Sequence, residues 1–68
     1  MALSARNHLQ GTIDEITWSE VLVHVTLRVG ENVIESVITR RSAEEMALKK
    51  GDTVTAVIKA TEVMLSKG

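Results

Sequence analysis

Val21-Leu22-Val23-His24-Val25-Thr26-Leu27-Arg28-Val29 alternates in strict period two. Val21, Val23, Val25, Leu27 and Val29 fall on one face, and Leu22, His24, Thr26 and Arg28 on the other. This pattern predicts a β-strand with one buried face. Gly30-Glu31-Asn32 follows; Gly and Asn tolerate positive φ, so it reads as a hairpin turn returning into Val33–Thr39. Further on, Val54–Thr61 alternates again, with Val54, Ala56, Ile58 and Ala60 sharing a face, and Val63-Met64-Leu65 reads as a short final strand or its continuation. Upstream, a strand is expected from Leu3 to Ile16, bulged near Gly11, with Thr17-Trp18-Ser19-Glu20 as its connection to the next. Val, Ile and Thr make up 21 of the 68 residues, and their branched side chains pack well on pleated surfaces.

A single helix interrupts the strands. Ser42-Ala43-Glu44-Glu45 matches the capping box S-x-x-E. Ala43 to Leu48 are good helix formers, Lys49 and Lys50 suit a helix C-terminus, and Gly51 reads as the stop. The resulting order predicts a mostly β domain over residues 1–68: a small five-stranded Greek-key barrel of the oligonucleotide/oligosaccharide-binding (OB) type, with one short helix before the fourth strand.

Size constrains how such a barrel can be stable. Folding a chain of this mass buries roughly 6,500 Å². Its apolar share contributes roughly 100 kcal/mol, and ordering the chain costs about the same. The chain has no Cys, and Trp18 is its only aromatic residue, so neither disulfides nor aromatic packing adds to the balance. Oligomerisation is the expected source of further burial. A net charge of −1 and the lack of aromatic platforms argue against a nucleic-acid partner. No apolar run reaches the length of a membrane span, and the start Met1-Ala2-Leu3-Ser4-Ala5-Arg6 has no export-signal core, so a cytoplasmic location is expected.

No nucleophile elbow, phosphate loop or paired-carboxylate motif is visible, and His8 and His24 have no partner at a metal-binding spacing, so no enzyme is expected. Three clusters combine a cation with hydroxyls or backbone donors: Ser4-Ala5-Arg6-Asn7, Thr39-Arg40-Arg41-Ser42 and Lys59-Ala60-Thr61. Two readings stay open. In one, Ser42 caps the helix, Arg6 pairs with a carboxylate and Lys59 faces solvent. In the other, the clusters form an oxyanion site, with Arg6 and Lys59 supplying charge and Thr39 and Ser42 supplying hydroxyls. Micromolar affinity needs only about 8 kcal/mol, within reach of several charge-assisted bonds.

Ser4-Ala5-Arg6-Asn7-His8-Leu9-Gln10-Gly11 closely resembles the S-A-R-N-x-L-x-G opening of the molybdenum-pterin-binding proteins, or molbindins. Val37-Ile38-Thr39-Arg40-Arg41-Ser42 resembles their I-T-x-x-S segment, and Val54 to Met64 their T-A-x-[IV]-K-[AS]-[ST]-x-V-M close. Three motifs in order over the whole chain make the resemblance specific. It implies an OB-like barrel in a strand-exchanged homo-oligomer, a hexamer built as a trimer of dimers, and an intracellular storage or homeostasis role. The implied ligand is molybdate or tungstate, held as an oxyanion between subunits, with no catalytic cofactor, no direct pterin binding, and neither nucleic acid nor membrane as partner. The runner-up readings are an OB-like nucleic-acid-binding domain and an oligomeric regulatory interaction module.

Carried over position by position, the resemblance makes Ser4, the Ala5 backbone and Arg6 the opening ligands. Thr39 and Ser42 become the donors beside the helix, Lys59 the cationic ligand and Ala60 a backbone N–H donor. Some relatives have Ser at position 60, so one hydroxyl contact is missing here. His8 stands where Gln is frequent, and the Thr17–Glu20 connection lacks a common Gly. Trp18 is assigned to an interface or rim, and Arg40 and Arg41 are expected to raise the local positive potential without acting as ligands.

Overall fold

The computed structural model describes residues 3–68; Met1 and Ala2, which open the segment read as lacking an export signal, lie outside the described residues. The elements are β1 (Asn7–Trp18), β2 (Leu22–Val29), β3 (Asn32–Thr39), α1 (Arg40–Glu45), β4 (Thr53–Ile58) and a 3₁₀ turn over Ala60–Glu62. The strands form one antiparallel sheet in the order β3-β2-β1-β4.

β1 organises the sheet by changing partner along its length. Asn7 to Thr12 pair with β4, and Thr12 to Trp18 pair with β2. The register shifts between Ile13 and Glu15, which places the bulge at Asp14 and not near Gly11. Gly11 serves a different need: a Cβ there would stand 2.8 Å from the Arg28 carbonyl oxygen and 2.9 Å from Val29 Cγ2. Only a residue without a side chain lets the end of β2 come so near. The bulge bends β1, and the sheet curls around one apolar face.

That face follows the alternation read from the sequence. Val23, Val25 and Leu27 are buried with Ile13 and Ala43, and Ile16, Ile34, Ile38, Leu48, Val54 and Ala56 pack around them. Val21 departs from the pattern and is 70% exposed. It lies in the turn before β2, where Ser19 N–H donates to the Leu22 carbonyl (3.0 Å) and Leu22 N–H to Ser19 Oγ (3.3 Å). At the other end of β2, Val29 pairs with Asn32, so Gly30-Glu31 is a two-residue hairpin loop with Gly30 at φ 61°. Positive φ at the first position alone suits a II′ turn.

The helix begins and ends earlier than its capping-box and glycine signals predict. Thr39, not Ser42, is the N-cap: its side chain accepts from Ser42 N–H at 3.1 Å. At the C-terminus, Ala47 N–H reaches the Glu44 carbonyl and Leu48 N–H reaches the Ala43 carbonyl. This is a Schellman closure, and Ala47 holds its left-handed position at φ 50°. Gly51 lies in a later turn closed by Asp52, whose Oδ2 accepts from Lys49 N–H at 2.9 Å. A left-handed alanine is strained, so Ala47→Gly is expected to raise stability by up to about 1 kcal/mol in urea unfolding.

Among the described residues four strands are present where five were expected. β4 stops at Ile58 instead of Thr61, and Val63-Met64-Leu65 belongs to no strand of this chain. β1 starts at Asn7 instead of Leu3 and runs on to Trp18, through part of the expected connection. The edges of β3 and β4 flank an apolar cleft of about 440 Å³, with Ile34 and Ile38 on one side, Val54 and Ile58 on the other, and Leu27 within it. Meanwhile Met64 and Leu65 are 92% and 94% exposed. The chain exposes 5605 Å², whereas a compact monomer of its mass exposes roughly 4,200 Å². The open apolar cleft and the exposed apolar tail both contribute to this surface.

Candidate functional site

The three donor clusters divide between the two ends of β1. At one end, Asn7 pairs with Ile58, and Asn7 Nδ2 donates to the Ile58 carbonyl at 3.2 Å. This antiparallel register leads Ser4-Ala5-Arg6 and Lys59-Ala60 off the sheet side by side. Beyond β4 the chain tightens into the 3₁₀ turn, where Glu62 N–H donates to the Lys59 carbonyl at 2.9 Å. On the β1 side, His8 Nε2 lies 3.1 Å from the Ala5 carbonyl oxygen. With the proton assigned to Nε2, the imidazole donates to that oxygen and ties down the opening segment.

Arg6 and Lys59 are exposed, and neither takes part in any of the ion pairs found among the described residues, which use His24, Arg28, Arg40 and Arg41. Arg6 and Lys59 each adjoin the terminal Asn7–Ile58 pair, so both leave the sheet at the same end. Of the first reading, the Arg6–carboxylate pair is not among the ion pairs found, while Lys59 does face solvent.

Thr39 and Ser42 lie at the opposite end. Thr39 pairs with Leu22, and Arg40 N–H donates to the Val21 carbonyl at 2.7 Å, which anchors the helix to the turn after β1. Thr39 Oγ1 accepts from Ser42 N–H and donates to Ser42 Oγ at 2.9 Å. A hydroxyl carries one proton. The two hydroxyls share one hydrogen bond, so one O–H of the pair is left for another partner. The 12 residues of β1 separate the two ends by a strand path of about 35 Å. One chain brings together the first and third clusters and leaves the second apart from them.

The expected positive potential beside the helix is largely cancelled. Arg40 Nε pairs with Glu44 Oε2 at 3.3 Å and Arg41 Nε with Glu45 Oε1 at 3.2 Å. Arg40 has a further set of contacts that sequence spacing does not disclose. Its Nη1 donates to the Ser19 carbonyl at 3.2 Å, and its guanidinium lies 5.8 Å from the Trp18 ring centroid. Trp18 and Arg40 are distant in sequence, and only the β1–β2–β3 register brings them together. Among the described residues, no three His, Asp or Glu side chains form a cation site. The clusters offer hydroxyl, guanidinium, ammonium and N–H donors, a donor set suited to an anion.

Residues 3–65 match the TOBE domain family. The chain belongs to this family. Within it, molybdenum-pterin-binding protein 1 of Clostridium pasteurianum is 41% identical over 66 residues, covering 96% of this chain and 97% of the relative. Among solved structures, a molybdate binding protein from Sporomusa ovata superposes with a TM-score of 0.94 at 34% identity, covering 98% of this TOBE chain and all of its counterpart. The cytoplasmic molybdate-binding protein ModG, solved with molybdate bound, gives a TM-score of 0.81 at 41% identity over 88% of this TOBE chain and 43% of its own. The curled sheet with its short helix is thus the fold of known molybdate-binding proteins, the OB-like class expected from the sequence.

Proposed function

We propose that this TOBE chain binds molybdate or tungstate as an intact tetrahedral dianion, for storage or homeostasis in the cytoplasm and without catalysis. The observation that carries this reading is that Arg6 and Lys59, neither in an ion pair found among the described residues, leave the sheet together beyond the Asn7–Ile58 pair. Arg6 and Lys59 supply charge, Ser4 a hydroxyl, and the Ala5 and Ala60 backbones polar contacts. Ser42, oriented by Thr39, supplies a further hydroxyl from a second chain. The molybdate-binding relatives support the choice of anion.

Assembly follows from the same geometry. Val63-Met64-Leu65 of one chain fits the chemistry of the apolar cleft between β3 and β4 of another and supplies the fifth strand. Such an exchange builds a homo-oligomer, and a trimer of dimers is the arrangement the family resemblance implies. Bound anion then favours assembly, because only the assembled state holds a complete site. Calorimetric titration of molybdate, run beside light scattering, tests both parts. Saturable heat from a multi-chain particle is expected; a particle that gives no heat removes the binding role, and a monomer that binds removes the shared site.

A further inference from the structure

We propose that Arg40, stacked on Trp18, is the positioning residue for the Thr39–Ser42 donor pair and sets its alignment toward the anion; this rests on the molybdate-binding reading. Arg40 is half-buried and directly follows the Thr39 cap. Its backbone N–H holds the Val21 carbonyl at 2.7 Å, and its side chain spans three neighbours: the Ser19 carbonyl, the Glu44 carboxylate and the Trp18 ring. These contacts tie the turn after β1 to the first turn of α1 from two sides.

The placement of the Thr39–Ser42 hydroxyl pair depends on this anchoring. Thr39 Oγ1 holds Ser42 through its backbone N–H and its hydroxyl, and Thr39 is held between its β2 pairing with Leu22 and the Arg40 backbone. A guanidinium suits the task because its planar fork can donate in two directions while one face lies on an indole. An ammonium is a point charge and cannot make all three contacts together. Arg41, 89% exposed and paired only with Glu45, makes none of them.

The test compares molybdate affinity in Trp18→Leu, Trp18→Phe, Arg40→Lys and Arg41→Ala, with unfolding temperature and particle mass measured on each. Trp18→Leu and Arg40→Lys are expected to raise Kd about three- to fivefold, the scale of one lost cation–π contact. Trp18→Phe keeps a ring under the guanidinium and is expected to stay within about twofold of the parent, as is Arg41→Ala. In the parent, Trp18 fluorescence is expected to titrate with molybdate at the calorimetric Kd, and Arg40→Lys to reduce that response. Parent affinity in both Trp18→Leu and Arg40→Lys overturns the positioning role while leaving molybdate binding in place. Equal losses in Trp18→Leu and Trp18→Phe that track unfolding temperature or particle mass also overturn it, in favour of simple packing. A parent that does not bind molybdate overturns the reading on which it rests as well.

Discussion

Lys59→Ala is expected to weaken molybdate binding by roughly 10- to 100-fold, and Arg6→Ala by a similar factor, with little change in unfolding temperature. Both halves of this result follow from the position of the two side chains. Each is exposed and is in no ion pair found among the described residues, so truncation is expected to remove no contact that holds the sheet. Surface changes of this kind usually stay within about 0.5 kcal/mol in stability. A bound dianion reverses the balance, because each cation then makes a charge-assisted bond in a partly dehydrated site. Calorimetric titration of the two variants beside the parent measures the loss. Parent affinity in both variants removes Arg6 and Lys59 from the site.

The double substitution Met64→Asp, Leu65→Asp is expected to convert the oligomer to monomer at micromolar concentration. In the isolated chain both side chains are almost fully exposed, so the change leaves the intrachain core intact. In the proposed exchanged assembly each side chain would enter the apolar cleft, where burial contributes about 1.5–3 kcal/mol per residue. An unpaired carboxylate there is far more costly than a lost contact. If the proposed exchange is reciprocal, both cavities of a dimer lose their occupant together. Light scattering reads the mass, and far-UV circular dichroism reports whether the monomer holds its sheet. A variant that keeps the parent mass shows that the tail does not cross between chains.

Much of the fold was legible because it depends on local patterning. The alternation Val23-Val25-Leu27 and the Gly30 turn mark the central hairpin, and both are decided within a few residues. The misplaced boundaries have specific causes. The capping box at Ser42 competed with Thr39, which lies three residues earlier and bonds Ser42 N–H in its place. Gly51 was a plausible helix stop by composition, yet Ala47 takes the left-handed position because Leu48 then reaches the core side of the sheet. Val63-Met64-Leu65 has strand-like composition, but it pairs with neither free edge of this chain's own sheet, and composition does not disclose which edge a segment reaches. For the site, residue types and spacing identified the donor clusters, and the family resemblance gave them roles. Their distribution over opposite ends of β1 was not legible, because it follows from β1 changing partner at Thr12.

A complementation experiment tests most directly whether the anion is held between chains. Lys59→Ala damages one half of the proposed site, and Ser42→Glu places a carboxylate in the other half, where it repels a dianion. Each variant alone is expected to bind molybdate weakly. Unfolded together and refolded as an equal mixture, the two are expected to recover strong binding in about a quarter of the sites, those that draw an intact half from each variant. Equilibrium dialysis against molybdate counts those sites. A mixture that binds no better than the separate variants contradicts a site shared between chains.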